Sequence, residues 1–254
     1  MKRRLHPDAR LLQEGEEVYA DLQLPAVSGG LPYTVINMVS SVDGEVSVSG
    51  RASGIGGRED RGAMRALRSK VDAVMIGAGT LRAERLNLGL DDPALPQPLA
   101  VVVGGSGPLP LSEHLIMNRG QKVLVVLPSG KAEGDTEIGP GANANTGGVL
   151  YESGPPSGGS AFSGVDLAWV LGRLKSSYGV ERLLVEGGPG LNGGLVSLDL
   201  VDELFLTVSP MLLGTGAPSI LADNALPSRK RLRLVSVHEA GNHLFLRYGL
   251  TGRT

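Results

Sequence analysis

Residues 183–190 read LLVEGGPG: an apolar run ends in Glu186 and passes at once into Gly187, Gly188, Pro189 and Gly190. A glycine-rich turn between a buried strand and a helix exposes backbone N–H groups that suit phosphate. A carboxylate repels phosphate, so Glu186 and the glycines make sense together only if they face two different ligands. Residues 188–193 spell G-x-G-x-x-G, with Leu191 and Asn192 inside the motif. The ordinary dinucleotide fingerprint also needs an acid at the end of the next strand to hold a ribose, and ELFLTVSP offers none. What survives is a glycine loop at a helix start.

A second junction of this kind is Gly77-Ala78-Gly79-Thr80, after the apolar run DAVMIG. Thr80 is placed to cap the following helix, with Glu84 beyond it. Two glycine turns at the carboxyl ends of neighbouring strands predict a dinucleotide held between them. The stretch SSVDGEV, 40–46, follows the first strand, and Asp43-Gly44 is a turn signal with Asp43 as its Asx residue. The four histidines, His6, His114, His238 and His243, have no metal-ligand spacing, so no metal is expected. His238 and His243 flank a turn near the C-terminus and are expected at the surface. No GxSxG or GxxxxGK[ST] occurs, which argues against serine-hydrolase and P-loop chemistry.

The elements that must position these groups are legible as alternating patterns. Apolar, β-branched runs of strand length are YTVINMVS, DAVMIG, LAVVVG, KVLVVL, RLLVE, ELFLTVS, LRLVSVHEA and HLFLRYGL. Several are apolar throughout, as central strands covered on both faces are. Between them REDRGAMRALRSK and VDLAWVLGRLKSSYG are amphipathic helices, the second stopped by Gly179, and GLNGGLVSLDL is a short third. Strands alternating with helices predict an α/β fold with a mostly parallel central sheet and helices on both faces. The last two strands, joined by Gly241-Asn242, predict a C-terminal antiparallel hairpin. The glycine-rich stretches 128–148 and 152–160 are expected as surface loops. Residues 1–31 read as an N-terminal arm before one domain over 32–254.

The chain has 254 residues, a formal net charge of −2 and no cysteine. The charge balance disfavours nucleic acid as a partner, and no apolar run approaches a membrane span. The absence of cysteine excludes disulfides and thiolate chemistry and is compatible with a reducing, cytoplasmic setting. The basic N-terminus has no apolar segment behind it and does not read as a secretory signal.

Four motifs in this order resemble one family. N-x-x-x-S-x-D-G at Asn37–Gly44, LRSKVDAVMIGAGTLRAE at 67–84, LLVEGGPGLNGGL at 183–195 and LVDELFLTVSPMLLG at 200–214 are similar to the reductase domain of riboflavin biosynthesis. Bifunctional members of that family carry a zinc deaminase domain, whose signature is missing here. The resemblance implies a dihydrofolate-reductase-like fold, NADPH as cofactor, a phosphoribosylaminopyrimidine as substrate and a homodimer paired near the C-terminal hairpin, whose apolar edge needs cover. It assigns Glu186 to substrate hydroxyls and to catalysis, and Asn37, Ser53 and Arg68 to substrate. To the cofactor it assigns Ser40, Gly77, Gly79, Thr80, Glu84 and the run Gly187, Gly188, Pro189, Gly190, Leu191 and Asn192. Asp43 holds the first loop in shape. Arg82 and Ser106 are candidate partners for a 2′-phosphate. The chain departs from the family pattern in three places. Glu84 replaces an aspartate, ASGIG replaces a Ser-x-Trp segment, and the arginine that would follow the GxGT helix is missing. A reductase of another pterin- or folate-like substrate and a nucleotide-binding protein without turnover are the alternative readings.

Overall fold

Eleven strands form one sheet in the order β2-β1-β10-β11-β9-β3-β8-β4-β5-β6-β7. The computed structural model describes residues 2–52, 54–84, 87–105, 109–111, 120–130, 149–158, 162–222 and 226–250. The strands are β1 (Lys2–His6), β2 (Arg10–Leu11), β3 (Tyr33–Ser40), β4 (Ala73–Gly77), β5 (Leu99–Val103), β6 (Val123–Pro128), β7 (Val149–Gly154), β8 (Arg182–Val185), β9 (Glu203–Val208), β10 (Leu232–Ala240) and β11 (His243–Leu250). The helices are α1 (Arg58–Arg68), α2 (Ala78–Ala83), α3 (Leu167–Tyr178) and α4 (Pro189–Ser197).

From β9 to β7 every neighbouring pair is parallel, and β4 is buried along its whole length. That burial explains its unbroken apolar sequence, because both faces are covered. Val35, Val74, Ile76 and Leu184 face a core shared with α1 and α2, whereas Ile36, Met75, Val103 and Val185 face one shared with α3 and α4. Helices therefore lie on both faces, as the alternating pattern requires. Gly179 ends α3 in the left-handed region, at φ 66°.

The terminal hairpin forms as expected, with Ala240 opposite His243. Gly241 and Asn242 both have positive φ, 57° and 65°, the conformation a two-residue hairpin turn demands. Its edge is covered in a way the composition concealed. The arm supplies β1, which pairs antiparallel with β10 from Lys2 opposite Ala240 to His6 opposite Val237. Val18, Tyr19, Leu22 and Leu24 of the arm are buried in the same core as Phe205 and Phe245. The expected exposed hairpin edge is thus corrected: among the described residues only Leu232–Ser236 of β10 lacks an outer partner strand. His238 is also corrected. It is 4% exposed and packs edge-on to Tyr19. Residues 152–154, read as loop, complete β7 against Val126–Pro128. Most of the long glycine-rich stretch, 131–148, lies outside the described residues, as does His114.

Candidate active site

The carboxyl ends of β3, β4 and β8 meet at one cleft, a cavity of about 450 Å³. Gly77, Gly79, Thr80, Glu84, Glu186, Gly187, Gly188, Pro189, Gly190 and Leu191 all line it. Residues more than 100 positions apart in sequence converge because β4 and β8 are parallel neighbours, with Met75 opposite Val185. The strand ends therefore fall level, and the turns after them face each other.

The glycines permit this approach. A β-carbon at Gly188 would stand 2.8 Å from Thr80 Oγ1, so only glycine lets the two turns touch. Gly187 holds φ 92°, a conformation side chains resist. At Gly79 and Gly190 a β-carbon would meet nothing within 4 Å, so each leaves its backbone open. α4 starts with Pro189 just inside it and Gly188 as its cap, with no side-chain cap bond. No side chain caps its first N–H groups, an arrangement that suits an anion such as a pyrophosphate. Thr80 does not cap α2: Gly77 holds that position, and Thr80 sits inside the helix.

Glu186 is aimed elsewhere. Its N–H continues the sheet by donating to Met75 O, and its side chain falls on the α1 face. There Arg68 Nε and Nη2 donate to its two oxygens at 2.8 and 2.7 Å. Arg68 is 4% exposed and also donates from Nη1 to Gly89 O at 3.1 Å. Burial is the largest influence and works against its charge, but the Glu186 charge and hydrogen bonds, with Asp91, together raise its pKa. Arg68 does not line the cavity itself.

Asn37 lies one strand over, since Ile36 is opposite Val185. Ser40 is buried, and its carbonyl accepts from Ser209 N–H at 2.8 Å; it does not line the cavity. Asp43 accepts from Leu213 and Gly214 N–H, the latter at 2.8 Å, and so ties the first loop to residues 211–216. Ser41 and these N–H groups hold its carboxyl below the usual range. Asn192 turns away: its Nδ2 donates to Ile220 O at 3.0 Å. Glu84 accepts from Ala52 N–H, anchoring the ASGIG segment. Arg82 lines the cavity. Ser53 and Ser106 lie outside the described residues.

Sequence reasoning passed over several groups. Glu45 accepts from Thr215 Oγ1 at 2.7 Å and Gly216 N–H at 2.6 Å, and it brings Val46 and Pro218 into the cavity wall. Met38 and Phe162 complete the wall. On the α1 face, Asp60, Thr207 and His243 form a polar group near Glu186. The only sequence signal for it is Gly56-Gly57, which leaves room beside the helix start. Among the described residues no cluster could hold a metal ion, and no helix is long and apolar enough to cross a membrane.

Two glycine turns thus open on one cleft at the end of a parallel sheet, with a paired carboxylate at its margin. Residues 32–246 match the RibD C-terminal domain family, and the chain belongs to that family. It is 28% identical over 228 residues to a 2,5-diamino-6-ribosylamino-4(3H)-pyrimidinone 5′-phosphate reductase of Methanothermobacter thermautotrophicus, covering 87% of this chain and 99% of that protein. It is 28% identical to the riboflavin biosynthesis protein RibD of Chlamydia pneumoniae and spans 65% of it. Acinetobacter baumannii RibD superposes with a TM-score of 0.70 at 24% identity, over 88% of this chain and 59% of that one. The riboflavin biosynthesis reductase Rib7 of Saccharomyces cerevisiae superposes at 0.64 and 18%, over 89% and 93%. The fold is the dihydrofolate-reductase-like one of these reductases.

Proposed function

We propose that the chain is an NADPH-dependent reductase of a phosphoribosylaminopyrimidine. The observation that carries this reading is the division of labour at the end of β8. Glu186 and the glycines after it line one cleft, and the carboxylate is held there by Arg68 of α1. One strand end thus serves two ligands. NADPH supplies a hydride when bound, and Gly79, Thr80 and Gly187–Leu191 would hold it. The acceptor is C1 of the ring-opened ribosyl group, written as an imine. Glu186 orients the sugar hydroxyls, with Arg68 fixing the carboxylate and Asn37 beside it.

The test is loss of NADPH absorbance with the ribosylaminopyrimidine phosphate, against dihydrofolate as a competing acceptor. Turnover on the first alone supports the reading. Turnover on dihydrofolate alone transfers it to a folate-like substrate. Tight NADPH binding with no turnover on either makes the chain a nucleotide-binding protein. The reading includes a cytoplasmic homodimer, formed where Leu232–Ser236 leaves the sheet edge unpaired.

A further inference from the structure

On the sheet face opposite α1, a stretch of irregular chain lies beside α4. Ile36 of β3 and Leu204 of β9 are register partners on this face, and the sheet runs on through β11 to β10. Residues 209–231, which join β9 to β10, contain no helix or strand among the described residues. Ile220, Leu221 and Leu226 of that stretch meet α4 and the sheet around a cavity of about 130 Å³. Irregular chain laid on a regular sheet interdigitates less completely than a helix does, so a gap of this size has a local cause. Leu232, which lines the cavity, is 42% exposed and marks its opening to solvent.

The lining side chains are apolar except for two. Lys230 is neutralised by Asp199 at 2.7 Å. Asn192 is fully buried, and its Nδ2 donates to Ile220 O at 3.0 Å. Its Oδ1 is buried as well and accepts from no group among the described residues. A buried amide oxygen without a donor costs free energy, so one polar point on an apolar wall is left unmet. Water meets it poorly, because an ordered water needs roughly two to four polar partners. An apolar cavity of about 150 Å³ takes a benzene ring. The size and the single acceptor together describe a six-membered ring carrying one hydroxyl.

We propose that this cavity is a second binding site, for a single-ring alcohol of the phenol class, whose ring lies among Val196, Val201, Leu204 and Leu221 and whose hydroxyl donates to Asn192 Oδ1. The site is separate from the nucleotide cleft, although α4 borders both. Pro189 and Leu191 line the cleft, whereas Asn192 and Val196 line the cavity. Pro189 O also accepts from Ala222 N–H at 3.1 Å, which ties the cavity's irregular cover to the start of the helix. Binding there goes beyond the reductase reading and does not depend on it.

Phenol is the probe, added to the full chain with its methyl groups labelled for NMR. Saturable shifts are expected at Val196, Leu204 and Leu221 with a Kd of about 1 mM or tighter, while the cleft methyls of Val46 and Val103 stay in place. Benzene lacks the donor and should bind about three- to tenfold more weakly, as one hydrogen bond allows. Asn192→Leu should bring the two affinities together. Val201→Phe fills the cavity and should abolish both, and Val196→Leu is the milder filling variant if overpacking prevents folding. Shifts centred on the cleft, or none at about 10 mM phenol, overturn the proposal. Equal affinities of wild type for benzene and phenol overturn it too. Phenol binding by Leu234→Lys but not by wild type gives the cavity to a side chain of a second copy and overturns it as well.

Discussion

Arg68 grips Glu186 with two parallel hydrogen bonds across 118 residues of sequence. Both partners are largely buried, with side-chain exposures of 4% and 10%. A buried pair of this kind is costly to break from one side, because the other charge is left uncompensated. The pair thus fixes the end of β8 to the last turn of α1.

Glu186→Gln should therefore have two separable effects. Substrate loses a charge-assisted bond of roughly 1.5–3 kcal/mol, about ten- to a hundredfold in kcat/KM, while NADPH affinity stays the same or improves slightly. Arg68 loses its counter-charge, and the melting temperature falls by several degrees. Calorimetry and steady-state kinetics on the one variant distinguish these. A variant of reduced stability with full turnover per folded molecule would leave Glu186 a purely structural residue.

The glycine loop can be probed at two points with opposite structural demands. Gly188→Val drives a side chain toward Thr80 Oγ1 and should weaken both folding and NADPH binding. Gly190→Ala adds a methyl group into open space, so the fold should be unaffected. A tenfold or greater loss of NADPH affinity in Gly190→Ala, measured by fluorescence titration, places the cofactor against this backbone. Unchanged affinity places it elsewhere.

Much of the site was legible because it depends on local signals. Glycine after an apolar run, an acid beside it, and a Gly-Asn turn between two alternating strands each declare themselves within a few residues. Asp60 was not legible: at the start of α1 it reads as an acid that complements the helix dipole. Only the tertiary placement of Gly56 and Thr207 turns it inward. The β1 strand was hidden for a related reason. KRRLH is charged because it lies second from the edge, where Lys2 meets Glu17 and Glu59 and Arg3 meets Glu239 instead of core.

Arg82 lines the cleft near the end of α2 and is the proposed 2′-phosphate partner. Wild-type protein should bind NADPH more tightly than NADH, and Arg82→Ala should bring the two dissociation constants together, mainly by weakening NADPH. Equal constants in the wild type refute the preference.

His238 supplies a pH dependence with a definite sign. Burial, then the Arg4 charge, lowers its pKa from 6.5 to about 4. Below pH 6.5 the unfolded chain takes up a proton that the folded chain refuses. The stability contributed by neutral His238 is complete above pH 6.5 and is lost as pH falls toward 4. Melting curves across this window should show a steeper decline for wild type than for His238→Leu, whatever their difference at pH 8.

Light scattering at micromolar concentration should give a dimer mass. Leu234 is 39% exposed on the unpaired part of β10, and Leu234→Lys puts a charge on that edge, a substitution that discourages strand pairing. The variant should be monomeric. A wild-type monomer removes the dimer from the functional reading.

The pairing of β1 with β10 sets an order of events in the cell. Lys2–His6 is synthesised well before its partner Val237–Ala240. During synthesis the arm has no strand to join, and Val18, Tyr19, Leu22 and Leu24 have no core to enter until β9 and β11 deliver Phe205 and Phe245. The parallel strands can assemble as they emerge, but this side of the sheet closes only once β10 and β11 have been made. Until then the nascent chain carries an unpaired, sticky segment, the kind of surface that chaperones bind.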